Sequence, residues 1–184
     1  MLPIRERLTN GEFDHTLKYL YASGYEAQKV KYAALADAFE GAFGASEEAM
    51  IFSAPGRSEI GGNHTDHQLG RVLAAAVTMD TRAVVAKRAD NIVRIHSQGY
   101  TPLCVSLDQL APDEAENNAS EALVRGIAEK LQLDGRKIGG FDAVTASDVP
   151  KGSGLSSSAA FSILVCTIFS ELYNDGQIPP VEQA

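Results

Sequence analysis

Between Phe141 and Tyr173 the sequence leaves few choices of fold. Phe141-Asp142-Ala143-Val144-Thr145-Ala146-Ser147 alternates apolar and polar residues with period two, the pattern of a strand. From Ala159 to Tyr173, Phe161, Leu164, Val165, Ile168, Phe169 and Leu172 recur at helical spacings and predict a buried helix. The link between them, Val149-Pro150-Lys151-Gly152-Ser153-Gly154-Leu155-Ser156-Ser157-Ser158, consists largely of small residues. Gly152 and Gly154 free the backbone for turn conformations and let a ligand come close. The serines supply N-cap oxygens and hydroxyl donors. The first N–H groups of a helix lack intrahelical partners and attract anions, which makes this loop a candidate phosphate site. A Ser-capped helix after a glycine turn is the plain alternative. The loop is not a Walker A motif, because Lys151 precedes the glycines and no Gly-Lys-Ser/Thr follows. Nor is it a G-x-G-x-x-G turn, because Ser157 stands where the third glycine belongs.

The remainder of the chain is read around this unit. With 184 residues there is room for one domain, or for one domain with an appendage. A content of 45% hydrophobic and 22% charged residues is that of an ordinary soluble globular protein. The net charge of −8 argues against a broad surface for nucleic acid or anionic membrane, while leaving room for a local cationic pocket. The N-terminus lacks an apolar signal core, and no stretch approaches a transmembrane span. Cys104 and Cys166 sit in apolar stretches at no metal-type spacing, as expected of reduced thiols in a cytoplasmic protein.

Residues 1–48 read as a helical N-terminal extension and 49–184 as the main domain. Asp14 can cap a short helix over Thr16 to Tyr21. A longer one runs from Tyr25 to Phe43 with Gly44 as its stop. Met50 to Ser53 predicts a short strand halted by Ala54-Pro55-Gly56. A polar loop from Arg57 to Gln68 follows. Val72 to Met79, Arg82 to Arg88 and Ile92 to Ser97 then read as an antiparallel meander with a turn at Asp90-Asn91, and Leu103 to Leu107 adds a strand. Residues 108–118 are acidic and turn-rich, and Ser120 can cap a helix over Glu121 to Leu131. Strands followed by helices packed on one side predict an α+β sandwich rather than a doubly wound sheet.

The polar loop is a second constellation. Arg57 and Asn63-His64-Thr65-Asp66-His67 place a cation, an amide, a carboxylate and two imidazoles in one short segment. Such a mixture can both donate to and accept from the hydroxyls of a polyol. A pocket built to pair a hydroxyl rejects an analogue without it by ~10⁴ or more. Turn capping with solvated histidines is the plain alternative. A metal held by His64, Asp66 and His67 is a rival, the weaker for the arginine nearby and the lack of further His or Cys downstream.

Taken together, the two segments resemble a known family. Ala54-Pro55-Gly56-Arg57 followed by Gly62-Asn63-His64-Thr65-Asp66 resembles the galactokinase signature, in which an arginine precedes a Gly-Glu-His-Thr-Asp-Tyr run. Gly152 to Ala160 resembles the phosphate-binding motif of the wider GHMP small-molecule kinases. Leu123-Val124-Arg125-Gly126 also stands where galactokinases carry a helix with a similar basic-Gly ending. The resemblance covers residues 35 to 175, with both motifs in the right order. It implies a GHMP-kinase N-terminal domain: a mixed, largely antiparallel sheet with helices packed on one side, preceded by the helical extension. It further implies an ATP-dependent sugar 1-kinase acting on galactose, with Mg²⁺. Gly152, Ser153, Gly154, Leu155, Ser156, Ser157 and Ser158 would wrap the nucleotide phosphates, and Ser158 would be a Mg²⁺ ligand. Asn63, His64 and Asp66 would hold sugar hydroxyls, and Arg57 would favour the charge that develops between acceptor and γ-phosphate.

The sequence departs from the family in several places. Asn63 replaces a sugar-binding glutamate, His67 a tyrosine and Glu59 an asparagine, and the chain has no tryptophan for an adenine pocket. The sugar could therefore be galacturonate, arabinose or an N-acetyl hexosamine, and a galactokinase-like sensor that binds sugar and ATP without transfer is the alternative of a different class. Galactokinases place their catalytic aspartate in a Met-Asp-Gln type segment after the serine loop. The expectation is thus an N-terminal portion, inactive by itself, whose base lies beyond Ala184. The oligomeric state is left open.

Overall fold

The computed structural model describes residues 2–62, 65, 68–111 and 120–183. Three helices come first: α1 (Ile4–Thr9), α2 (Asp14–Tyr21) and, after a 3-10 turn, α3 (Tyr25–Phe43). Four strands follow, β1 (Met50–Gly61), β2 (Leu73–Lys87), β3 (Ile92–Ser97) and β4 (Leu103–Ser106). Then come α4 (Ser120–Leu133), β5 (Phe141–Ser147), α5 (Ser157–Tyr173) and the short α6 (Pro180–Gln183). Residues 112–119, most of the expected acidic loop, lie outside the described residues.

The strands form one mixed sheet in the order β1-β2-β5-β3-β4. Among the described residues only β3 and β5 pair in parallel; the other neighbours run antiparallel. This is the α+β, largely antiparallel arrangement expected of the family. The expected meander does not form, however, because β5 enters between β2 and β3. Its entry is clasped at Gly140, whose carbonyl accepts from the Arg88 N–H (2.9 Å) and whose N–H donates to the Asp90 carbonyl (3.0 Å). A Cβ on Gly140 would collide with the Asp90 and Ile92 backbones, so this close approach requires glycine. Phe141, Ala143, Val144, Thr145 and Ala146 are all buried, as suits a central strand covered on both faces.

Strand β1 also differs from expectation. It does not stop at Ala54-Pro55-Gly56 but pairs with β2 as far as Gly61, and Arg57 therefore lies on a strand. The chain tolerates Pro55 because β1 is an edge strand, where a missing N–H breaks no inner ladder. A register shift between Pro55 and Arg57 accommodates it. The runs Val72 to Met79 and Arg82 to Arg88 merge into the one long strand β2 (Leu73–Lys87) for the same reason: its partner continues beside it.

Helices α4 and α5 cover one face of the sheet. Val124, Ala128 and Leu131 of α4 join Leu164, Val165, Ile168 and Phe169 of α5 over Phe52, Ala83, Val85, Val93, Ile95 and Phe141. Phe141 meets Phe169 edge-on, with ring centroids 5.4 Å apart. The helical N-terminal segment is docked on the opposite face. Ile4, Leu8, Leu17, Leu35 and Phe39 pack there with Val84, Val144 and Ala146 of the sheet. Ala83 and Val85 face α5 while Val84 faces α3, the alternation that period two imposes. No helix among the described residues is long and apolar enough to cross a membrane.

Phe169 is fully buried at the centre of the α5 face. Phe169→Ala is expected to cost about 3–5 kcal/mol, read as a lower urea midpoint with an unchanged slope.

Candidate functional site

The serine loop begins where β5 ends. Asp148 donates its backbone N–H to the Asp80 carbonyl (2.8 Å), and Val149, buried, donates to Ser147 Oγ (3.2 Å). Pro150 to Gly154 are then exposed. Gly152 and Gly154 adopt φ +74° and +78°, a region that suits glycine. Ser153 shapes the turn, its Oγ donating to the Pro150 carbonyl (2.7 Å) and accepting from the Leu155 N–H (3.3 Å).

Helix α5 starts at Ser157, as the sequence indicated within two residues. Its N-cap is Ser156, but the expected serine cap is absent. Ser156 is left-handed (φ 60°, ψ 52°), and its side chain makes no capping hydrogen bond. Capping serines take an extended backbone so that the hydroxyl reaches the second or third helical N–H; the left-handed turn forfeits that geometry. The first turn also contains no acidic residue. The positive end of α5 thus opens onto an exposed, glycine-containing loop with no side-chain carboxylate or hydroxyl capping it, which suits an incoming anion. Ser157 is half-buried, and Ser158 is exposed on the first turn.

The far end of the loop is docked on β1. The Leu155 carbonyl accepts from the Arg57 N–H at 3.1 Å. Beside it, a Cβ built on Gly56 would lie 2.9 Å from the Leu155 carbonyl oxygen and 3.1 and 3.2 Å from the Val149 methyls. The Pro-Gly-Arg sequence is thus the surface on which the serine loop rests, and Arg57, half-buried, stands next to that loop.

The sugar-side residues Asn63, His64 and Asp66, with His67, lie outside the described residues. Gly61 pairs with Leu73, so residues 62–72 connect β1 to β2 in sequence. Thr65 Oγ1 donates to the Gly62 carbonyl (2.8 Å), and the Thr65 carbonyl accepts from the N–H groups of Gln68 (3.0 Å) and Gly70 (2.7 Å). Gly61 is four residues beyond Arg57, roughly 13 Å along an extended strand. The rival metal set falls on the same undescribed residues; among the described ones no group of three or more His, Cys, Asp or Glu is placed to hold a metal.

The sequence reading missed a buried polar network at the base of the loop. Asp80 and Arg82, 2% and 4% exposed, pair on β2 (Arg82 Nη1 to Asp80 Oδ1, 2.9 Å). Asp80 Oδ2 accepts from Ser53 Oγ of β1 (2.6 Å), from the Tyr21 hydroxyl of α2 (2.5 Å) and, more distantly, from that of Tyr32 on α3 (3.4 Å). Burial pushes both phenols up, so they remain protonated donors. Arg82 then forks onto Asp148 (Nη1 to Oδ2, 2.9 Å; Nη2 to Oδ1, 3.0 Å), and Lys31 of α3 reaches Asp148 Oδ2 at 2.5 Å. The hydrogen bonds from Arg82, assisted by Lys31 and opposed by partial burial, hold the Asp148 carboxyl at about 2. One part was legible: opposite charges at i and i+2 in the apolar run around Met79-Asp80-Thr81-Arg82-Ala83 must share a face of a strand.

The chain is similar to known proteins along most of its length. Residues 37–87 match the family described as galactokinase galactose-binding signature, and residues 122–183 match the GHMP kinases N terminal domain. The chain is 37% identical to a galactokinase of Streptococcus suis over 143 residues, covering 76% of this chain and 36% of that protein. It is also 37% identical to a galactokinase of Ligilactobacillus salivarius over 142 residues, covering 75% of this chain and 36% of that one. It therefore spans little more than a third of the curated relatives it matches. Among solved structures it resembles the Lactococcus lactis galactokinase complexed with galactose (TM-score 0.76, 29% identity), over 83% of this chain and 39% of that one.

Two outcomes are expected at this site. Gly56→Ala drives a methyl group against the Leu155 carbonyl, and overpacking of this kind costs about 1–3 kcal/mol; an unchanged urea midpoint would mean that the loop yields instead. The Asp148 carboxyl lies below the range of an unfolded aspartate. Its contribution is complete above about pH 4 and is lost as pH falls toward 2. Acid titration of stability should show roughly 2 kcal/mol in that window, missing from Asp148→Asn.

Proposed function

The chain belongs to the galactokinase family of the GHMP kinases, matching its N-terminal part, and from that premise we propose that the full-length protein is an ATP-dependent sugar 1-kinase with galactose as its acceptor. The observation that carries this reading is the hydrogen bond from the Arg57 N–H to the Leu155 carbonyl. It joins the backbones of the two motifs, far apart in sequence, at one point, which supports a reading in which Arg57 serves a phosphate chain bound on the serine loop.

In this reading the anomeric oxygen of the sugar bonds to the γ-phosphorus while the bond to the bridging oxygen of ADP breaks. The products are sugar 1-phosphate and ADP, and the hydroxyl proton passes to a base. Little covalent work falls to the protein, so position and charge dominate. The uncapped N–H groups of α5 and the backbone of Gly152, Ser153, Gly154 and Leu155 receive the phosphates, with Ser156, Ser157 and Ser158 around them. Ser158, exposed on the first turn of α5, would hold the Mg²⁺ that accompanies ATP, which would supply neutralisation of phosphate charge. Arg57 stabilises the charge that builds between acceptor and γ-phosphate. Asn63, His64 and Asp66 bind sugar hydroxyls. The base is assigned by family resemblance to an aspartate in a Met-Asp-Gln type segment; residues 1–184 contain no such run, and as an isolated piece they are expected to be inactive. The unpaired thiols Cys104 and Cys166 fit a cytoplasmic enzyme.

Asn63 favours one second reading, a shift in sugar preference. An amide offers one acceptor oxygen and adds donors where a carboxylate only accepts. ADP release by the full-length protein is the test, measured on galactose, galacturonate, arabinose and N-acetyl hexosamines. Galactose-dependent turnover is expected, reduced about a hundredfold or more in Asp66→Ala through lost hydrogen bonds to a charged group. Turnover on another sugar keeps the kinase and moves its specificity. Binding of sugar and ATP with no turnover on any of them would sink the kinase and leave a sensor.

A further inference from the structure

Among the described residues, Asp80 and Arg82 are the buried charged side chains, and the phosphoryl-transfer scheme uses neither of them. Burying such a pair is not in itself an efficient route to stability, which raises the question of what their geometry fixes. Arg82 is satisfied on one side by Asp80 and presents a two-pronged fork to Asp148 on the other. Asp148 is the residue that follows β5, and it is gripped three ways: by that fork, by Lys31, and through its backbone N–H by the Asp80 carbonyl. Beyond it only Val149 is buried before the exposed run from Pro150 to Gly154. The loop is therefore pinned at two places, Asp148 with Val149 at its start and Leu155 on β1 at its end. Its glycines make the span between soft, so the placement of the span depends on those pins.

We propose, as an inference that rests on the kinase reading above, that Arg82 and Asp148 are positioning residues for the nucleotide: their bidentate pair sets where the serine loop stands over β1 and thereby the affinity for the polyphosphate. From Asp80 to Leu73, where the hairpin connection begins, is seven residues of β2, roughly 23 Å along the strand. The pair also couples α3 to the loop through Lys31, so the N-terminal helices contribute to nucleotide binding without touching the nucleotide.

The test uses full-length protein carrying Asp148→Asn, which leaves Arg82 paired with Asp80 and avoids stranding a buried charge. Arg82→Lys is the second variant; it keeps the charge beside Asp80 and removes the fork. Dissociation of a non-hydrolysable ATP analogue, KM for ATP, KM for the sugar and the unfolding midpoint are measured together. Analogue affinity is expected to weaken roughly tenfold or more, as for misplacement of a binding element, with KM for ATP rising in parallel and KM for the sugar changing by less than about twofold. Lower midpoints with analogue affinity and KM for ATP unchanged in both variants would overturn the proposal and leave the pair a purely structural one. If the unsubstituted protein fails to bind the analogue, the kinase reading falls and takes this inference with it. If it binds the analogue and both variants bind it equally, only this inference falls.

Discussion

Everything in the molecule hangs on one strand being covered on both faces. β5 lies at the centre of the sheet, antiparallel to β2 and parallel to β3, with α3 against one side and α5 against the other. A strand buried this way has little freedom to slip, because a shift by one residue would exchange its two faces. What it delivers at its end is therefore delivered to a fixed place. That delivery is Asp148 and the serine loop.

Fixed ends and a soft middle are a workable division for binding a polyphosphate. The loop must fold around oxygens that are absent until the ligand arrives, which asks for glycines and exposure. It must also start and stop in register with Arg57 and with the N-terminus of α5. The first demand is met by Gly152 and Gly154 with their positive φ, the second by the Arg82 fork and by the contact of Leu155 with Gly56 and Arg57. The structure keeps these functions on different residues, so flexibility where the ligand binds does not loosen the frame.

What could be read in the sequence was what local periodicity encodes. α3 ends at Phe43 before Gly44, and α5 lies within two residues of its expected start, because in both the apolar residues recur at helical spacings up to a marked end. The strand and small-residue loop ahead of α5 were equally plain. The failures are of another kind. Pro55 and Gly56 are stop signals by local rules, yet β1 runs through them because it sits at an edge, a fact set by strand order. The insertion of β5 between β2 and β3 is likewise a long-range choice; the turn at Asp90 and Asn91 only suggested that β3 would return to β2. The Arg82–Asp148 pair joins positions 66 residues apart, and no spacing rule links them. At the site, the serine run was found, but the cap expected of it does not form, since the left-handed backbone of Ser156, which no local pattern encodes, decides which way its hydroxyl can reach.

The bond between Arg57 and Leu155 has a consequence for the molecule in a crowded solution. An edge strand normally shows a row of open N–H and C=O groups that invite a strand from another chain, the first step of many aggregates. On β1 that row is interrupted twice in three residues: Pro55 has no N–H to offer, and the N–H of Arg57 is already given to the serine loop. The register shift between them breaks the regular pleat as well. The same few atoms that seat the phosphate loop deny a neighbouring polypeptide a continuous edge, so protection from strand addition comes with the site itself.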